Sequence, residues 1–194
     1  MNLNLPPVVK NLLIINIIIF LLQRSIGGIE NIFALHQFGG GFEPYQLFTY
    51  SFLHDTGTLN HLISNMIGLF FFGRSLESIW GGKMFLTYYI LTGFFAGIVQ
   101  LLMGNFGITI GASGSIFGLL AAFGILFPNQ YIYLLIPPIP LKAKYFVSIY
   151  ALIELYLGVF PNQGDNIAHF AHLGGALSGF LILLYWKSKG KTYF

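Results

Sequence analysis

Long runs without a single charged side chain constrain this chain more than any other feature. "GASGSIFGLLAAFGILF" (111–127) and "LIINIIIFLLQ" (13–23) are two of them. In lipid, a helix of about 20 apolar residues satisfies its own backbone hydrogen bonds and crosses the hydrocarbon layer. In water, the same runs would need a polar shell that this chain lacks. Charged residues make up 8% of its 194 residues, against about 25% in soluble domains. Six apolar runs are expected to be helices: Val8–Gln23, His61–Trp80, Met84–Gly104, Ser113–Phe127, Tyr145–Phe160 and Ala168–Trp186. The expected fold class is an all-α membrane protein, a six-transmembrane-helix bundle forming a single transmembrane domain over 1–194. "QRSIGG", after the first run, lacks the small-x-small pattern of a cleavage site, so that run reads as a retained span. With no cysteine, the chain has no disulfide framework and no thiolate metal site.

Basic residues orient the bundle. With both termini in the cytoplasm, Lys10, Arg74, Lys83, Lys142, Lys144, Lys187, Lys189 and Lys191 fall on or near the cytoplasmic side, and only Arg24 lies outside. Lys and Arg concentrate on cytoplasmic loops. Those loops account for the net charge of +3, so no nucleic-acid partner is implied; the partner is the lipid bilayer. Small size and the lack of cysteine or a transit segment point to a bacterial cytoplasmic membrane.

The fourth run is short. Its 15 residues reach about 22 Å as a helix, against a hydrocarbon core of about 30 Å. This helix, stopped by Pro128, is expected to start recessed below the outer surface. Its approach, "GNFGITIGASG", is then expected to be enclosed by other helices. The outer loop from Arg24 to Asn60 is too long for a simple connector, and its aromatic residues favour a partly embedded loop.

Ser113 opens that short helix, and a serine becomes nucleophilic only when an adjacent base takes its proton. The last run, "NIAHFAHLGGALSGF", offers His169 and His172 one turn apart. Ala171, Gly175 and Gly179 repeat every four residues there, and Gly114 and Gly118 match them beside Ser113. Small faces of this kind let helix backbones approach closely, which brings His172 toward Ser113 as its base. Phe117, one turn after Ser113, is placed to stack on the imidazole. No carboxylate is evident nearby, so the ring is expected to do the orienting that an aspartate does in a triad. On the second run His61 and Asn65 share a face, and both can donate hydrogen bonds to the oxyanion of a tetrahedral intermediate. The Ser113 N–H at its helix start is a further donor.

These residues together resemble the rhomboid family of intramembrane serine proteases over nearly the whole chain. The family's His-xxx-Asn is matched by His61 and Asn65, and its Gly-x-Ser-Gly by Gly111, Ala112, Ser113 and Gly114. Its aromatic four positions after the serine is matched by Phe117, and its sixth-helix histidine by His172 with Gly175 and Gly179. The resemblance implies a Ser113–His172 catalytic dyad, an oxyanion hole helped by His61 and Asn65, and no cofactor. Its implied substrates are single-span transmembrane proteins, cut near the outer end of their helix. Glu77 matches a structural glutamate at the inner end of the second helix. Tyr45-Gln46 stands where the family tends to have Trp-Arg.

Other readings of the same residues are blander. Ser113 alone could be an N-cap, and His61 with Asn65 could hold the long loop in place. His169 and His172 could share a metal ion, but no third ligand is spaced for it and His-Glu-xx-His is absent, so no metal is expected. His169 reads as a polar wall of a wet cavity. Glu154, costly inside the fifth run, reads as a structural residue, protonated or hydrogen-bonded, with a functional role the alternative. A non-catalytic rhomboid-like binder of membrane helices would lack the serine or the histidine, and this chain keeps both. A small transporter would show paired charges at mid-membrane or an inverted repeat, and neither is visible.

Overall fold

The computed structural model describes residues 5–104, 107–133 and 139–191, and most of them are helical. Asn105 and Phe106, part of the expected approach to Ser113, lie outside the described residues. In chain order come α1 (Pro7–Ser25), α2 (Ile29–Phe33), strand β1 (Leu35–His36), α3 (Gln46–Thr49) and a 3-10 turn (Tyr50–Phe52). Next are α4 (Asn60–Gly68), a π-helical turn (Leu69–Gly73), α5 (Arg74–Trp80), α6 (Gly82–Met103), β2 (Ile108–Thr109) and α7 (Ser113–Leu126). Strands β3 (Tyr131–Tyr133) and β4 (Pro140–Lys142), then α8 (Ala143–Val159) and α9 (His169–Ser188), complete the order.

The longer helices lie along the apolar runs, while the short α2 and α3 lie outside them, in the loop after α1. Among the described residues, three helices, α1, α6 and α9, are long and apolar enough to cross a membrane. α7 is a shorter apolar helix of 14 residues, α8 has 17 residues, and α4 and α5 are joined through the π turn.

Helix α1 shows how lipid inverts the usual pattern. Its buried residues, Val9, Leu12, Asn16, Phe20 and Gln23, recur every three or four positions along one stripe. The rest of its surface exposes Ile14, Ile15, Ile17 and Ile18, a liability in water and ordinary in hydrocarbon. Pro7 starts the helix at no hydrogen-bonding cost. The orphan amides of its first turn are met from another helix: Glu77 accepts from Val8 N at 3.0 Å and from Val9 N at 2.7 Å. Glu77 thus makes a structural contact between α5 and α1.

Helix α7 is the hub, with 11 of its 14 residues buried. It packs on α6 and α9, and the glycines set the distances. A Cβ on Gly175 would land on the Gly114 carbonyl, and one on Gly179 would lie 3.0 Å from Gly118 Cα. The α7 glycines serve a second neighbour as well. Their own missing side chains would meet α6, at 2.6 Å from Ala96 Cβ for Gly114 and 2.6 Å from Thr92 Cβ for Gly118. The matching small faces of α7 and α9 are therefore only half of the device, because α6 uses the same gaps. Tyr88 Oη donates to Gly118 O and Ser115 Oγ to Tyr89 O, which ties α6 to α7 further.

The loop after α1 is ordered by one buried side chain. Gln46 accepts from the amides of His36 and Glu43 and donates to the carbonyls of Ile32 and Gly41. β1 pairs antiparallel with β2 on the approach to α7, Leu35 opposite Thr109. Phe48 stacks on Phe94 of α6 at 5.0 Å.

Candidate active site

The N-termini of α4, α7 and α9 meet at one end of the bundle, beside the C-terminal half of α8. Gly111 precedes α7 with φ 120°, a conformation open to glycine and costly for other residues. The turn is anchored by Gly111 N donating to Tyr50 O at 3.0 Å. Ser113 follows as the first helical residue, where amides lack intrahelical partners and the helix end favours negative charge.

Ser113 and His172 come together. Ser113 Oγ lies 2.8 Å from His172 Nε2, although the two are far apart in sequence. Phe117 stacks on the His172 ring with centroids 4.2 Å apart and planes 8° from parallel. Gln100 of α6 accepts from Ala171 N at 3.0 Å, satisfying an orphan amide in the first turn of α9 and fixing that end.

The imidazole is not oriented by the ring alone, which corrects the expectation that no carboxylate lies near. Glu154 Oε2 is 2.9 Å from His172 Nδ1. The same oxygen is 2.6 Å from His169 Nδ1, and His169 Nε2 is 3.0 Å from Asp165 Oδ2. His169 is thus buried and bonded through both ring nitrogens. The expectation that no third ligand accompanies the two histidines also falls. One donor atom each from Glu154, His169 and His172 lies within 4.8 Å of the others. Glu154 stands out in the sequence, but its contact with His172 does not, because the two sit on different helices, where sequence spacing carries no signal. A hint was present: Glu154 is an acid inside an apolar run, with Asp165 and His169 four residues apart just beyond it.

His61 faces the nucleophile across Gly111. A Cβ on Gly111 would lie 2.6 Å from His61 Nε2 and 3.8 Å from Ser113 Oγ, so both groups border the space that glycine leaves open. The His61 tautomer follows from its other nitrogen. Asp55 N donates to His61 Nδ1 at 3.3 Å; a backbone amide only donates, so the ring proton is on Nε2, toward Ser113. Asn65 is buried and donates to His61 O at 2.8 Å, which uses one of its two amide hydrogens. His54, edge-on to His61 with centroids 5.2 Å apart, is fully buried. Burial pushes its imidazole down to about 4, with His61 alongside adding to the effect.

Comparison with known proteins decides the family. The Rhomboid domain model matches residues 41–189. The chain belongs to the rhomboid family. It is 35% identical over 146 residues to RHOMBOID-like protein 1 of Arabidopsis thaliana, covering 72% of this chain and 34% of that protein. Rhomboid protein 1, mitochondrial, of Saccharomyces cerevisiae is 31% identical over 127 residues, 62% of this chain and 36% of the relative. Rhomboid-like protease 3 of Toxoplasma gondii is 28% identical over 148 residues, 76% of this chain and 54% of the relative. The chain therefore spans between about a third and a half of the length of these relatives.

Proposed function

We propose that this rhomboid-family protein is an intramembrane serine endopeptidase in which Ser113 is the nucleophile and His172 its base. The observation that carries the reading is the 2.8 Å contact between Ser113 Oγ and His172 Nε2, inside the reach that general-base catalysis needs. His172 takes the hydroxyl proton as Ser113 Oγ bonds to the scissile carbonyl carbon. The oxyanion that forms is met by His61 Nε2–H, by the free amide hydrogen of Asn65 and by the Ser113 N–H, donors each worth about 3 kcal/mol in such sites. Collapse expels the amine, which takes the proton from His172, and water then releases the acyl group by the reverse use of the same base.

The substrate in this reading is a single-span membrane protein. Its helix must unwind before a carbonyl reaches Ser113, and glycine lowers that cost by about 1 kcal/mol and proline by about 3 relative to alanine. Cleavage falls after a small residue at the outer end of such a helix. The membrane arrangement belongs to the same proposal. It has six spans with a recessed fourth helix and both termini cytoplasmic, supported by the eight-to-one partition of Lys and Arg. The bilayer is the cytoplasmic membrane of a bacterium, and the chemistry uses neither metal nor cofactor.

The test is a liposome assay with a transmembrane model substrate and mass mapping of the products. The wild type should cut at a small residue, and Ser113→Ala should not cut. Cleavage by Ser113→Ala ends the protease reading.

A further inference from the structure

Glu154 is set apart by where it is buried. Helix α8 exposes most of its apolar surface, with Leu152, Ile153, Leu155 and Tyr156 outward. Only Ala143 and Glu154 are buried on it. A helix that turns its apolar side chains to lipid and its single acid inward is holding that acid against a partner. The partner is His172, and the geometry fixes how they bond. Ionised, Glu154 only accepts, so His172 Nδ1 carries the proton and donates at 2.9 Å. That leaves Nε2 bare, facing Ser113 Oγ at 2.8 Å, which is the tautomer a general base needs.

We infer that Glu154 is a positioning residue that completes a Ser113–His172–Glu154 triad. It fixes the His172 tautomer and stabilises the imidazolium formed when Ser113 attacks, while remaining ionised itself. His169 and Asp165 brace it: His169 Nδ1 bonds the same Glu154 oxygen at 2.6 Å and its Nε2 reaches Asp165 at 3.0 Å. The carboxylate oxygen that meets His172 is thereby held by a second partner. Phe117, stacked on the ring face, keeps the imidazole in plane. The inference rests on the protease reading above.

The alternative for this cluster is a metal ion on Glu154, His169 and His172, and the chemistry argues against it. An ion held by Glu154 and the Nδ1 atoms of both rings would displace the protons these hydrogen bonds place there, which leaves His172 Nε2 protonated and unable to take the Ser113 proton.

The experiment compares wild type, Glu154→Gln, Glu154→Asp and Ser113→Ala in liposomes. It reads kcat and KM on a transmembrane substrate, the rate of fluorophosphonate labelling and the thermal midpoint. A wrong His tautomer costs on the order of 10⁴-fold in kcat in a serine triad. Glu154→Gln should therefore lose about 10²- to 10⁴-fold in kcat and in labelling rate, with KM and thermal midpoint near wild type. Glu154→Asp, which keeps the charge on a shorter stem, should recover part of the rate. Wild-type kcat and labelling in a folded Glu154→Gln overturns the inference. So does a loss that appears only as a lower midpoint or a higher KM, or one that Glu154→Asp does not relieve. Inhibition by EDTA with rescue by zinc overturns it in favour of the metal. A wild type that neither cleaves nor reacts at Ser113 overturns the protease reading, and the triad with it.

Discussion

Replacing Gly175 by alanine adds one methyl group at the place where α9 and α7 touch backbone to backbone. Its Cβ would fall on the Gly114 carbonyl oxygen, 2.8 Å from the carbonyl carbon and 3.2 Å from Gly114 Cα. Carbon atoms rest at about 3.5–4.0 Å, so α9 must retreat from α7 by about 1 Å. No flexible side chain can yield instead, because every atom met first is backbone. His172 lies one turn from Gly175 on the same helix, and it moves with α9. A misplacement of about 1 Å costs on the order of 10²-fold in rate, and overpacking costs about 1–3 kcal/mol. At roughly 2–4 °C per kcal/mol for a chain of this size, the thermal midpoint should fall by several degrees. The assay is fluorophosphonate labelling of Ser113 alongside thermal unfolding in the same detergent. Gly107→Ala and Gly27→Ala serve as controls, since a Cβ at either position meets nothing within 4 Å. A Gly175→Ala protein with wild-type labelling and midpoint would refute the close approach of these two helices.

Three further outcomes follow from the same coordinates. Gly111→Ala should abolish labelling and cleavage, because its Cβ would press on His61 Nε2 at 2.6 Å from a residue at φ 120°; retained activity would remove His61 from the site. Glu77→Ala strips one buried and one partly buried amide of α1 of their acceptor. It should cost about 2 kcal/mol, lowering the thermal midpoint while leaving labelling below the transition unchanged, and an unaltered midpoint would contradict that role. The His54 imidazole is held down to about 4 by burial, against about 6.5 in the unfolded chain. The unfolded state therefore binds the proton first, and the His54 contribution to stability, intact above about pH 6.5, is lost as pH falls toward 4. Melting curves across that window should flatten in His54→Phe, and parallel curves would count against it.

Much of this architecture is legible in the sequence because lipid makes the rules simple. Apolar runs located the principal helices to within a few residues, as in Val8–Gln23 against Pro7–Ser25 and Ser113–Phe127 against Ser113–Leu126. Small residues four apart marked the α7–α9 approach, and the Ser113–His172 meeting followed from it. Local rules did not reach contacts between elements distant in sequence. Gln46 on the loop backbone and Glu154 on His172 depend on where two segments come to lie, and neither spacing nor composition records that. The second use of the α7 glycines, against Ala96 and Thr92 of α6, was hidden for the same reason. A missing side chain shows that something is close, but not what.

The central claim is that Ser113, activated by His172, is the reacting group. Its most direct measurement is peptide mass mapping after treatment of the membrane-reconstituted protein with a fluorophosphonate. The account predicts a single adduct on Ser113 in the wild type and none in Ser113→Ala, with labelling slowed by orders of magnitude in His172→Ala. An adduct on another serine, or equal labelling of Ser113 without His172, would contradict it.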